Sequence, residues 1–129
     1  MNRFMIVVNP DKDTDSTVTN RIQSYLEAHG AACMVRDVFH LESSDWEALK
    51  KEQFDCVLVL GGDGTLLRMA GETEDIDIPL FGINLGTVGF LTEGEVANIE
   101  EILDRLLTDD FTIEERMICL LYTSDAADE

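Results

Sequence analysis

A parallel α/β sheet is the fold this sequence predicts, and three observations predict it. Short apolar runs alternate with stretches of helical periodicity at the lengths usual for strand–helix units. One apolar run, residues 56–60, breaks abruptly into Gly61-Gly62-Asp63-Gly64-Thr65, with helix formers following at once. A second glycine cluster, residues 82–92, also follows an apolar run, so two glycine turns fall on the edge where open parallel sheets place their ligands.

The elements follow in order. Residues 3–9 (RFMIVVN) read as a first strand, stopped by Pro10 and the polar run DKDTDST. Val18, Ile22, Tyr25 and Leu26 recur at i, i+4, i+7 and i+8, an amphipathic helix ending near Gly30. Residues 31–38 alternate loosely as a second strand, a short helix covers about residues 44–52, and residues 55–60 form the third strand. The helix after the glycine turn runs through Ala70 into an acidic loop (Glu72, Glu74, Asp75, Asp77), and residues 79–84 (PLFGIN) make a fourth strand. Residues 98–107 form a helix with Ile99, Ile102, Leu103, Leu106 and Leu107 on one face and Asn98 and Glu101 placed like a capping box. A turn at Thr108-Asp109-Asp110 closes it, and residues 112–121 (TIEERMICLL) begin another strand that reads as the entry to a second unit. Residues 122–129 are short, acidic and unlike anything upstream, which reads as a fragment or mis-joined end; a disordered tail is the plainer alternative.

Composition bounds the partners. The 129 residues suffice for one domain, or one domain and the start of another. With 27 Asp and Glu against 9 Lys and Arg, the net charge of -18 disfavours nucleic acid and anionic membranes. A plainer use of that acidity is solubility. It also makes each local basic group informative, because a polyphosphate ligand needs positive potential somewhere. Near the glycine turn the candidate is Arg68. No apolar run approaches the length of a membrane span. The 3 cysteines (Cys33, Cys56, Cys119) lie far apart in apolar runs, which suits neither a metal site nor a disulfide framework and favours a reducing cytoplasm. His29 and His40 have no partner at metal or triad spacing and read as structural, as does Trp46, while Met5, Met34 and Met117 read as core.

The glycine turn carries the chemistry. A buried strand, a turn nearly free of Cβ atoms and a helix start are the parts from which backbone amides meet phosphate. Glycine lets the main chain approach a ligand and allows positive φ where a turn needs it. A carboxylate repels phosphate, so Asp63 is better suited to accept a hydrogen bond or proton from a hydroxyl, which points to phosphoryl transfer to an alcohol. The plain alternative is a βα corner in which Asp63 caps the helix. Neither a G-x-x-x-x-G-K-[ST] loop nor a G-x-G-x-x-G fingerprint is present.

With these pieces in place, residues 1–121 resemble the N-terminal half of an NAD kinase. The resemblance rests on Gly61-Gly62-Asp63-Gly64-Thr65, on the block from Ile83-Asn84-Leu85-Gly86-Thr87 through Val88-Gly89-Phe90-Leu91-Thr92-Glu93, and on Glu115-Arg116-Met117 leading into a strand. The first motif is shared with diacylglycerol and sphingosine kinases and, in similar form, with 6-phosphofructokinases; the second block at this distance is far more specific. The resemblance implies a Rossmann-like parallel sheet over residues 1–111, the first strand of a truncated all-β second domain at residues 112–121, and a non-matching acidic tail at residues 122–129. It implies transfer of the γ-phosphoryl of ATP, or of polyphosphate in some members, to the 2′-hydroxyl of the adenosine ribose of NAD, yielding NADP. Asp63 would accept or orient that hydroxyl, Gly62 and Gly64 would give backbone access with Thr65 in the same turn, and Arg68 would stand near the dinucleotide. Asn84, Leu85, Gly86 and Phe90 would help wall the pocket. Magnesium or another divalent cation would arrive with the nucleotide phosphates, no dedicated cage being visible, and the resemblance implies a homodimer or homotetramer.

The departures bear equally on function. Family members resemble a chain about twice this long, with an Asn-Glu or Asn-Asp pair and a Thr- and Gly-rich segment past the equivalent of Arg116. Without these the expectation is a folded first domain and no measurable kinase activity. Two rival readings are a diacylglycerol-type lipid kinase, disfavoured by Leu66-Leu67-Arg68 after the turn, and a non-catalytic nucleotide-binding or subunit-contact domain.

Overall fold

Successive residues along each central strand face opposite sides of the sheet, and in this chain both sides are apolar. The computed structural model describes residues 1–13, 15–76, 78–85, 93–108 and 118–122. Five strands, β1 (Arg3–Val8), β2 (Ala32–Asp37), β3 (Cys56–Gly61), β4 (Leu80–Asn84) and β5 (Ile118–Tyr122), form one sheet in the order β2-β1-β3-β4-β5, every neighbouring pair parallel. Four helices connect them: α1 (Thr17–Ala28), α2 (Ser43–Lys51), α3 (Asp63–Glu72) and α4 (Glu93–Leu107).

Phe4, Ile6, Leu58, Leu60, Phe81 and Ile83 point to one face, where Ile22 and Leu26 of α1 and Ile99 and Leu103 of α4 cover them. Their neighbours Met5, Val7, Val57, Val59 and Leu80 point to the other, under Leu49 of α2 and Leu66 and Met69 of α3. All six residues of β3 are buried, so the strand that leads into the glycine turn is the centre of both cores. Each such side chain contributes about 1.5–3 kcal/mol on burial, which holds the end of β3 as a rigid platform. Among the described residues no helix is long and apolar enough to cross a membrane.

Three expectations change. α4 begins at Glu93, so Asn98 and Glu101 lie inside the helix rather than at its cap; periodicity identified the buried face (Ile99, Leu103, Leu106) but not the start. Glu72, expected in a loop, closes α3. The run expected to open a second, all-β unit contributes β5, which pairs in parallel with β4 in the same sheet. An apolar run such as ICLLY fits any buried strand, and nothing in its sequence says which neighbour it takes. Met117 and the Asp109-Asp110 turn lie outside the described residues.

The entry to α1 also differs from its simplest reading. Ser16 occupies the N-cap position in a left-handed conformation (φ 57) and its side chain makes no cap bond. Instead the buried carboxylate of Asp13 accepts from the Val18 and Thr19 amides at 3.2 and 2.8 Å and from the Thr19 hydroxyl at 2.7 Å. We therefore expect Asp13→Ala to cost about 1–3 kcal/mol, while Ser16→Gly raises stability by up to about 1 kcal/mol because glycine takes positive φ without strain. Urea unfolding of the two variants checks both signs.

Asp45, near the start of α2, is buried, which works against its charged form. The Glu42 amide at 2.9 Å and the Arg36 guanidinium at 2.8 Å outweigh that and hold its pKa below the ordinary 3.8. A depressed carboxyl stabilises the fold above the ordinary value, and the contribution is lost as pH falls from there through the folded-state value. An NMR titration should show Asp45 moving up toward the ordinary value in Arg36→Gln, with less of the acid-side stability loss below pH 3.8 traceable to this group.

Candidate active site

Strand order reverses beside β1: the chain leaves β1 for β2 on one side and returns with β3 on the other. The loops after β1 and β3 diverge there, which is how an open parallel sheet makes a crevice at its C-terminal edge. A cleft of about 440 Å³ lies at this point, lined by Asn9 and Lys12 after β1, Val38 and Phe39 after β2, and Gly62, Gly64, Thr65 and Arg68 after β3.

Hydrogen bonds tie the two loops together. The Asn9 amide donates to the Leu60 carbonyl at 2.8 Å, extending the ladder one residue past β1. Its side-chain Nδ2 donates to Thr65 Oγ1 at 3.2 Å, while its Oδ1 accepts from the Asp11 amide at 2.9 Å. The Lys12 amide donates to the Asn9 carbonyl at 2.9 Å, closing a turn that brings the lysine stem over Gly62. From the other side, the Leu85 amide donates to the Gly61 carbonyl at 3.0 Å.

The glycines do their work without the positive φ that the turn was expected to need. Among the described glycines only Gly30 has it; Gly62 is extended (φ -105, ψ -171). Gly61 is required by close approach: a Cβ there would stand 2.8 Å from Thr65 Oγ1 and 3.1 Å from Asn9 Cβ. Gly64 has open space around it. Gly62 is the N-cap of α3 and Asp63 its first helical residue, so Asp63 does not cap the helix, and no side chain among the described residues does. The opening amides of α3 are left as donors at the positive end of the helix dipole.

The expected site residues separate accordingly. Gly62, Gly64, Thr65 and Arg68 meet in the cleft. Asp63 opens α3 beside it, and Asn84 closes β4 in register with Gly61; their side chains lie outside the described residues, as do Gly86 and Phe90 entirely. Leu85 does not wall the cleft: its side chain, 3% exposed, packs into the α1/α4 core, and only its backbone reaches the turn. Arg68 is held by Glu72 one turn on, Nε to Oε2 at 3.1 Å. Sequence reasoning passed over Asn9 and Lys12. The signal available was position, since polar residues directly after an inner parallel strand face the same edge as the glycine turn.

A family model described as the ATP-NAD kinase N-terminal domain matches residues 4–111. The chain belongs to the ATP-NAD kinase family. Among curated relatives, the NAD kinase of Agathobacter rectalis is 37% identical over 123 residues, 93% of this chain and 44% of that protein. The NAD kinase of Lachnoclostridium phytofermentans is 39% identical over 120 residues, 92% of this chain and 42% of its own length. That of Thermococcus gammatolerans is 38% identical over 120 residues, 89% and 43% respectively. The chain thus spans less than half the length of the NAD kinases it matches.

Within this NAD kinase N-terminal domain, Gly61 and Gly64 make opposite demands. Gly61→Ala is expected to lose roughly 1–3 kcal/mol, the usual cost of forcing an extra methyl into packed surroundings. Gly64→Ala, in open space within α3, should be neutral or gain up to about 1 kcal/mol from helix propensity. Parallel urea denaturation curves are the check: the midpoint should fall for Gly61→Ala and stay or rise for Gly64→Ala.

Proposed function

We propose that this chain is the hydroxyl-activating and phosphate-binding part of an NAD kinase, which transfers the γ-phosphoryl of ATP to the 2′-hydroxyl of the adenosine ribose of NAD. Family membership supports the reaction class. The observation that carries the site assignment is the uncapped start of α3 opening beside Lys12 and Arg68 at the strand-order reversal. There the ribose oxygen attacks the γ-phosphorus, the bond to the β-bridging oxygen breaks, and ADP leaves. The hydroxyl proton passes to the Asp63 carboxylate, or Asp63 aligns the hydroxyl by accepting its hydrogen bond. Gly62 and Gly64 admit the ligands to the backbone, Thr65 anchors the turn through Asn9, and Arg68 faces the dinucleotide. Asn84, Gly86 and Phe90 complete the NAD side.

Among the described residues no three His, Cys, Asp or Glu side chains converge as a metal site. Amide, hydroxyl, ammonium and guanidinium groups in the cleft are not a ligand set for magnesium, so a divalent cation belongs with the donor phosphates. The proposal extends to a cytoplasmic homodimer or homotetramer that binds neither nucleic acid nor membrane. It also places the remainder of the NAD pocket in a β domain that follows the sheet. A second reading, nucleotide binding without turnover, is favoured for residues 1–129 in isolation by their span of less than half the relatives' length.

Joining residues 1–121 to the part of the Agathobacter rectalis relative beyond its matched segment gives a chimera that should form NADP. In it Asp63→Asn is expected to lower kcat by about a hundredfold or more while NAD affinity changes by less than about threefold. The 129-residue chain by itself should bind nucleotide without forming NADP. Unchanged turnover in the Asp63→Asn chimera would remove Asp63 from the mechanism.

A further inference from the structure

The cleft holds two cations, and they are not equivalent. Arg3, Arg21, Arg36 and Arg68 each hold a carboxylate at 2.8–3.4 Å, so the guanidinium in the cleft is already paired with Glu72. The Lys12 ammonium has no carboxylate partner among the described residues. Its stem lies across the glycine turn, Cε standing 3.8 Å from the point a Cβ on Gly62 would occupy. Its backbone is fixed there by the Asn9 carbonyl at 2.9 Å, and Asn9 is fixed in turn to Leu60 and Thr65. In a chain of net charge -18, an unpaired ammonium held over backbone with no side chain, beside open helix amides, is where a polyanion gains most.

We propose that Lys12 is a positioning residue for the polyphosphate chain of the phosphoryl donor. The ammonium and the amides that open α3 grip that chain from two sides across Gly62. Arg68, tethered to Glu72, is left to the acceptor dinucleotide. The shared chemistry is a di- or triphosphate chain, which both nucleotides carry, and the assignment is to the donor because the more highly charged chain gains more from the unpaired cation. The inference rests on the reading of the cleft as a phosphoryl-transfer site, but its test is one of binding and does not depend on turnover.

Calorimetric titration of the 129-residue chain with inorganic tripolyphosphate, ATP and NAD provides that test. Lys12→Met keeps the stem and removes the charge, Lys12→Arg restores the charge, and Lys50→Met removes a charge from the far end of α2 as a control. We expect Lys12→Met to weaken tripolyphosphate and ATP about tenfold or more, the usual loss of a charge-assisted contact. Lys12→Arg should recover most of the affinity, and NAD affinity should change less than about twofold. Tripolyphosphate affinity within about twofold of wild type in Lys12→Met would overturn the proposal, as would an equal loss for NAD or a wild-type chain that binds no polyphosphate. A chimera indifferent to Asp63→Asn, with the lysine result intact, would count against the catalytic reading and leave Lys12 as a phosphate ligand.

Discussion

Among the described residues, the sheet's C-terminal edge is organised around the missing side chain of Gly61. Asn9, Thr65 and the Leu85 amide all converge on this residue, which has space for a hydrogen and not for a methyl group. Because β1, β3 and β4 are held to one another by ladder bonds up to that point, closeness at Gly61 fixes where three loops begin. The cleft is the space left where the segments after β1 and β3 diverge. Its shape is therefore set by packing under the sheet rather than by contacts within the loops, which is why a site made of short polar turns can be rigid.

The two-sided burial of β3 is the other half of that rigidity. Leu58 and Leu60 point to α1 and α4, Val57 and Val59 to α2 and α3, so movement of the turn would disturb both cores at once. α3 belongs to both levels. Leu66 and Met69 anchor it beneath the sheet, while its first turn faces the cleft and Leu67, 71% exposed, faces away from both. A helix fastened by its buried face can leave its opening amides uncapped, because tertiary packing supplies the stability that a cap would otherwise add.

Much of this was legible in the sequence. The runs around Val7, Val35, Leu58 and Ile83 predicted four parallel strands close to their observed bounds, because continuous apolar character and alternation with helices leave few other arrangements. The glycine turn marked, through its composition, the place where the structure opens a cleft. What the sequence withheld depends on contacts between distant segments. Asn9 looks like the polar end of a strand until its amide is seen to reach Thr65, and Lys12 looks like a solvated loop charge until Gly62 is found beneath it. Ser16 is the residue propensity would choose to cap α1, yet Asp13 caps it because the loop folds back. The pairing of β5 was equally hidden, since a strand's partner is chosen by the sheet edge that remains open, a property of the fold and not of the run itself.

Charge shows the same division between global and local. A net charge of -18 argues against polyanionic partners if it is treated as a uniform field. At physiological ionic strength, however, exposed charges are screened beyond about 8 Å, so a charge summed over the whole chain does not give the potential at one cleft. The potential felt by a ligand at Gly62 comes from Lys12, from Arg68 paired with Glu72 and from the partial positive charge at the start of α3, set against the carboxylate that Asp63 carries in the first turn. One pair of opposite charges 4 Å apart gains about 4 kcal/mol at the effective dielectric of a protein surface and about 1 kcal/mol in water. A few groups at contact distance therefore outweigh a large net charge spread over the remaining surface. The acidity of this chain works against indiscriminate adhesion of polyanions, and for any ligand at the cleft the few groups around it weigh more than the net charge.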